Sequence, residues 1–199
     1  MKRNMKVRFI EPVGRITSNV GIWEGTCPCG GKYHRAEVNK QEYPGATDAT
    51  ELLPEPYTVT EGDGTTCQYC GAPAPAGLWM GGGSGTLWSN GKDKPQPGDM
   101  YWASWYHQDG RCVLGKWDNC NDPRGHLMVV LPNGHTWDID GRASNCDMKD
   151  ERTHRCWVRH GEPPNITVDK GGHTCHAGAG SIIGGEWHGF LRNGVLEEC

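Results

Sequence analysis

The sequence predicts a mostly β protein with long loops, organised as small zinc-stabilised β modules: an N-terminal zinc-knuckle or ribbon-like module and a C-terminal hairpin-rich module. Three observations lead there. Hydrophobic residues make up only 35% of the 199 positions and Phe occurs twice, too little for a large core. Glycine (30) and proline (13) are abundant, so loops take up much of the chain. Ten cysteines and nine histidines offer the cross-links or metal ligands that small, loop-rich units use in place of apolar area.

Along the chain, short β-type runs such as Val7 to Ile10 and Val20 to Trp23 alternate with Gly, Pro and Asn clusters, which is the pattern of strands and turns. Two short stretches, Arg35 to Tyr43 and Ala46 to Leu53, are the best helical candidates, the second ending before Pro54. From Gly71 to Gly98 an Ala-Pro repeat, the run Gly81-Gly82-Gly83-Ser84-Gly85 and Lys94-Pro95-Gln96-Pro97-Gly98 read as a flexible connector. The Gly run has no Lys-Ser/Thr after it, so it is not a phosphate-binding P-loop. Trp79, Trp88, Trp102 and Trp105 surround this region. Trp in an aliphatic-poor chain mostly supplies core area, with a ligand-stacking platform as the alternative. Two hairpins follow: 126–131 turns through Pro132-Asn133-Gly134 into 136–139, and 189–192 turns through Asn193-Gly194 into 195–196. The expected organisation is a zinc-knuckle module at 1–75, a Gly/Pro/Trp-rich connector at 76–110 and a Cys/His-rich β module at 111–199.

Net charge is −4 with both signs interspersed, which argues against nucleic acid as a partner. The basic arm Lys2, Arg3, Lys6 and Arg8 reads as a solvated end. No apolar run follows it, so no secretory signal is expected, and no stretch approaches a membrane span. That points to a cytoplasmic setting, in which thiols remain reduced and can serve as ligands; a disulfide-bonded framework is the competing reading.

The strongest local motif pairs Cys27-Pro28-Cys29-Gly30 with Cys67-Gln68-Tyr69-Cys70-Gly71, separated by 37 residues. Two turns with Cys at both ends give the tetrahedral thiolate set of structural zinc. The Cys-Pro-Cys half is tighter than usual, so His34 can take the place of Cys27 or Cys29. A redox Cys-x-x-Cys would need a strand-to-helix context that Gly71-Ala72-Pro73 does not offer. A second set, Cys146, Cys156, Cys175 and His188, has gaps of 9, 18 and 12 residues, with His160, His173, His176 and Cys199 as possible substitutes. Two zinc ions are therefore expected. A third grouping, Cys112 and Cys120 flanked by His107 and His126, reads better as ordinary thiols and histidines.

The runs Trp137-Asp138-Ile139-Asp140-Gly141-Arg142-Ala143-Ser144-Asn145-Cys146, Ile166-Thr167-Val168, Gly180-Ser181-Ile182 and Trp187 to Val195 together resemble a small Cys/His-rich family of bacteria and phages. Some of its members lie beside bacterial ubiquitin-like conjugation genes and are thought to be zinc peptidases. The resemblance covers about 125–199. It implies a metallopeptidase-like hydrolase acting on peptide or isopeptide-type bonds of a protein substrate. The family's acidic residue eight before the first cysteine falls on Asp138 and its final His on His188. The family's His two before that cysteine is here Ser144, its compact Cys-x-Cys-Gly-Cys turn is replaced by the Cys146 to Cys156 stretch, and its last cysteine appears early, at Cys175. Zinc hydrolysis also needs a carboxylate base, for which Asp138 and Glu186 are the candidates. The rival expectation is a non-enzymatic phage or bacterial protein, virion-associated in one version, with purely structural zinc sites and a protein partner.

Overall fold

A computed structural model describes residues 4–25, 33–46, 53–103, 124–143, 145–148, 156–170, 175, 177 and 180–199, together with the backbone of 107–108 and 111–112. All regular structure among these residues is β, and no helix is long and apolar enough to cross a membrane. The chain divides into two compact units: Pro12–Lys94, and Met1–Glu11 with Pro95–Cys199.

The Pro12–Lys94 unit is built on three long neighbouring strands. β3 (Pro12–Glu24) lies between β4 (Tyr33–Pro44) and β6 (Trp79–Trp88), and the short β5 (Tyr57–Thr58) extends the other edge of β6. β3 and β4 form an antiparallel hairpin from Glu24↔Tyr33 to Gly14↔Pro44, with a register shift between Thr17 and Asn19. The helix expected over 35–43 is therefore a strand. Its weak helical propensity loses to seven cross-strand pairings with β3, and His34 and Ala36 point inward while Arg35 and Glu37 are more exposed, the period of two that a half-buried strand requires. The second helical candidate, 46–53, lies largely outside the described residues.

The connector expected at 76–110 is also corrected. Gly81 to Gly85 form the middle of β6, paired residue by residue with β3 from Val20↔Gly81 to Ile16↔Gly85. Glycine disfavours strands entropically, but here neighbouring side chains crowd the positions that a Cβ would take. A Cβ on Gly81 would come within 2.5 Å of the Trp79 ring, and one on Gly83 within 3.1 Å of Val20. The core of this unit is small: Ala36, Val59 and Met80 are fully buried, with Trp23, Val38, Tyr57, Ala74 and Leu78 packed around them.

The second unit contains two four-stranded sheets. In one, β1 (Asn4–Lys6), β16 (Val195–Glu198), β15 (Trp187–Arg192) and β14 (Ile182–Gly184) follow in that order. In the other, β2 (Arg8–Phe9), β7 (Asp99–Ala103), β10 (His126–Val130) and β11 (Thr136–Asp138) do so. A separate hairpin pairs β12 (Val158–His160) with β13 (Thr167–Asp169), and β8 (His107–Gln108) pairs β9 (Arg111–Cys112). Both expected hairpins form, as β10–β11 and β15–β16, with Gly134, Asn193 and Gly194 at positive φ in their turns. Residues 4–9 belong here, because Met5 pairs with Leu196 and Phe9 with Met100. The basic arm is tied down at Arg8, whose guanidinium bonds the fully buried Asp99. The core joins Leu127, Val129, Leu131 and Trp137 to Ile166, Ile182, Leu191 and Leu196, and Cys146, Cys156 and Cys175 lie within it.

Candidate metal centres

In the Pro12–Lys94 unit, the Cys67 to Cys70 turn folds as a knuckle. The Gly71 amide donates to the Cys67 carbonyl and the Cys67 amide to the Ala72 carbonyl, with Gly71 at φ 71° where a side chain would be strained. The knuckle leans on β4 through the Gln68 amide, which donates to the Arg35 carbonyl at 2.8 Å. That contact brings Cys67 and Cys70 to His34, whose Nδ1 lies 3.3 Å from the Cys70 Sγ. His34, Cys67 and Cys70 have ligand atoms within 4.8 Å of one another. The His34 ring is fixed on its other side by stacking on Trp23, 5.2 Å between centroids and 13° between planes.

The electrostatics favour a thiolate. At Cys67, burial is the largest influence and opposes ionisation, but backbone amides of Arg35, Tyr69 and Cys70 and the His34 ring donate to the sulfur, and together they bring its pKa down to about 6. Cys27 and Cys29 lie outside the described residues. Both belong to the hairpin connection between Glu24 and Tyr33, whose last described pairs, Trp23↔His34 and Glu24↔Tyr33, include the histidine itself.

In the second unit, Cys146, Cys156 and Cys175 are 2%, 0% and 8% exposed. Their sulfurs form a tight group, with Cys175 Sγ 3.8 Å from Cys146 Sγ and 3.7 Å from Cys156 Sγ. Ligands of a tetrahedral zinc with Zn–S bonds of about 2.3 Å stand about 3.8 Å apart, so the spacing is that of a metal site's edges. A disulfide would need sulfurs about 2.05 Å apart. Two of the sulfurs accept from an amide two residues on: Ala177 N–H to Cys175 at 3.4 Å, and the Met148 amide to Cys146. Cys67 receives the same kind of bond from Tyr69, so the two sites share one local device for stabilising sulfur charge.

The three buried thiols are not equivalent. Burial, again the largest influence, pushes Cys156 up to about 12. At Cys146 burial is outweighed by the Met148 amide, the Cys156 and Cys175 thiols and the charge of Arg142, which hold it below the ordinary thiol range. Three thiolates in an apolar core would repel one another at high cost, and a divalent cation removes that cost. The donor set therefore fits a soft or borderline metal.

Lys170, which no sequence pattern singled out, holds this site together. Its Nζ donates to the Cys156 carbonyl at 2.8 Å and to the Ala177 carbonyl, joining two of the three cysteine-bearing segments.

The remaining predicted ligands and catalytic groups lie elsewhere. His188 is exposed on β15, on the face opposite to the buried Trp187 and Gly189, and is not part of the cysteine group. Strand alternation puts adjacent residues on opposite faces, so a core site cannot recruit it. Of the possible substitutes, Cys199 is exposed and His160 bonds Asp169 at 2.9 Å, while His173 and His176 lie outside the described residues. Asp138 accepts from the buried His126 Nδ1 at 2.6 Å and from the Asp140 amide at 3.0 Å, so it fastens the end of the β10–β11 hairpin. Glu186 is exposed in the turn before β15. Neither carboxylate belongs to a metal-capable group among the described residues. In the third grouping, β8 and β9 place His107 opposite Cys112 in register, and Cys120 lies outside the described residues.

No protein-family model matches this chain, and no curated protein or solved structure is detectably similar to it.

Proposed function

We propose that this chain is a non-catalytic zinc protein in which two structural zinc ions hold β units that present a binding surface to a protein partner. One ion is held by His34, Cys67 and Cys70, with Cys27 or Cys29 as fourth ligand. The other is held by Cys146, Cys156 and Cys175, with a fourth donor from outside the described residues, for which His173 and His176 are the candidates. The observation that carries the reading is the trio of buried sulfurs 3.7 and 3.8 Å apart inside an apolar core. Zinc is the choice among metals because it prefers tetrahedral sulfur and nitrogen ligands and brings no redox chemistry. Thiol ligands of this kind suit a reducing setting, in which cysteines stay available to a metal.

A hydrolase would need an open coordination position and a carboxylate beside the metal. The burial of all three sulfurs and the engagement of Asp138 by His126 weigh toward a closed, structural site. The test is elemental mass spectrometry of protein purified reduced and without added metal. The wild type should carry two zinc ions, and Cys67→Ser and Cys156→Ser one each. Metal-free wild type with few free thiols would replace this reading with a disulfide framework.

A further inference from the structure

The outer face of the β3–β4–β6 sheet carries a trough of about 530 Å³, within the range of about 300–1,000 Å³ in which small-molecule sites fall. Gly83 and Gly85 form its floor, and a Cβ on either would stand 3.1 Å from a Val20 or Ile16 methyl group. Every larger residue would partly fill it.

The walls are polar, with Arg35, Lys40 and Lys94 set against Glu37 and Asp93, and both carboxylates are engaged. Glu37 accepts from the Ser18 hydroxyl at 2.7 Å and pairs with Lys40 at 3.2 Å, and Lys40 reaches across to Asp93 at 2.6 Å. Arg35 adds a looser pair to Glu37 at 4.0 Å. A charged ligand would have to break these pairs, whereas a neutral one with many hydroxyls can add hydrogen bonds to carboxylate, ammonium and guanidinium groups that stay in place. At the rim stands Tyr69, 60% exposed, with Gln68 beside it on the knuckle. Trp79, 64% exposed with its ring over Gly81, lies on the same strand but outside the trough. A ring such as that of Tyr69 packs against the apolar C–H faces of pyranose sugars, and polar walls suit their hydroxyls.

We propose that this trough binds a neutral oligosaccharide. The inference goes beyond the zinc reading, and it does not depend on which metal orders the knuckle. Isothermal titration of the full zinc-loaded chain with cellohexaose, chitohexaose and maltohexaose tests it, with a heparin hexasaccharide as the charged comparison. At least one neutral hexasaccharide should bind, with affinity changing less than about twofold between 50 and 500 mM salt because no ionic contact is made. Tyr69→Ala and Gln68→Ala should weaken binding about tenfold, the scale of one lost stacking or buried polar contact, with metal content unchanged. Ile22→Ala, exposed on the same face but outside the trough, should bind as the wild type does. The proposal is overturned if no neutral hexasaccharide binds, if binding survives Tyr69→Ala and Gln68→Ala, or if only the heparin fragment binds with steep salt dependence.

Discussion

Cys156 and Cys199 are the same residue type in opposite surroundings, one fully buried among other sulfurs and the other exposed at the end of the chain. Cys156→Ser should cost one zinc equivalent and about 3–5 kcal/mol, the range for breaking a buried charge-compensated group, read by denaturant unfolding. Cys199→Ser should change neither. The histidines divide in the same way. His34→Ala should remove the zinc of the Pro12–Lys94 unit, because the ring is 6% exposed and 3.3 Å from the Cys70 sulfur. His188→Ala should leave metal content intact and shift stability by no more than about 0.5 kcal/mol, as exposed substitutions do. A zinc equivalent lost from His188→Ala would contradict the strand geometry of β15. Proton competition sets a further expectation. The Cys67 pKa is lowered to about 6, so its thiolate persists as pH falls from the ordinary thiol range down to that value and is lost below it. Zinc at the knuckle should stay bound at pH 7 and leave on acidification below pH 6, followed by a colorimetric chelator. Release already at pH 8 would show that the amide donors do not hold the sulfur charge.

At the scale of elements, turns and clamps matter more than strand composition. Asn193 and Gly194 sit at φ 44° and 71°, as a tight antiparallel hairpin needs. A Cβ on Gly194 would also stand 2.7 Å from the Pro164 carbonyl oxygen. Gly194→Ala should therefore destabilise by more than the roughly 1 kcal/mol attached to an unfavourable Gly-to-Ala change, measured as a shift in the denaturant midpoint. Lys170 acts between elements. With its bonds to the Cys156 and Ala177 carbonyls gone, Lys170→Met should lower zinc affinity at the cysteine trio about 10- to 100-fold, the usual cost of losing support behind a ligand. Competition with a chromophoric chelator reads this, and unchanged affinity would reduce Lys170 to a packing role. β6 shows the converse of the turn rule. Its glycines disfavour a strand individually, yet pairing from Val20↔Gly81 to Ile16↔Gly85 holds them extended, and their missing side chains open the trough.

In the whole molecule, the two units differ in how much apolar area they bury. Among the described residues, the Pro12–Lys94 unit buries Ala36, Val59, Cys67, Met80, Leu87 and Trp88, whereas the other joins nineteen buried residues in one core, the three cysteines included. Metal removal should therefore not affect them equally. On addition of a strong chelator, hydrogen exchange should lose protection first along β3, β4 and the knuckle, because a small unit without its staple cannot offset the entropy of ordering its loops. The Pro95–Cys199 sheets should lose protection later and at higher denaturant. Simultaneous loss in both would mean that the larger core does not sustain its unit without the metal.

The sequence by itself determined which metal-capable side chains this protein offers and where its local turns fall. The Cys67-x-x-Cys70-Gly71 knuckle and both hairpins were legible because each rests on residue type at short range: Gly or Asn where φ is positive, thiols where a soft ligand is wanted. Only the tertiary structure decided the rest. Pairing of Met5 with Leu196 spans nearly the whole chain, and no local pattern encodes it. The extended state of Gly81 to Gly85 is imposed by β3, against the preference of glycine itself. The exclusion of His188 follows from strand parity, since a shift of one residue moves a side chain from core to solvent. The nearness of three sulfurs separated by 9 and 18 residues depends on how the core packs. Spacing names the ligands a chain can offer, and the pairing of strands selects which of them meet.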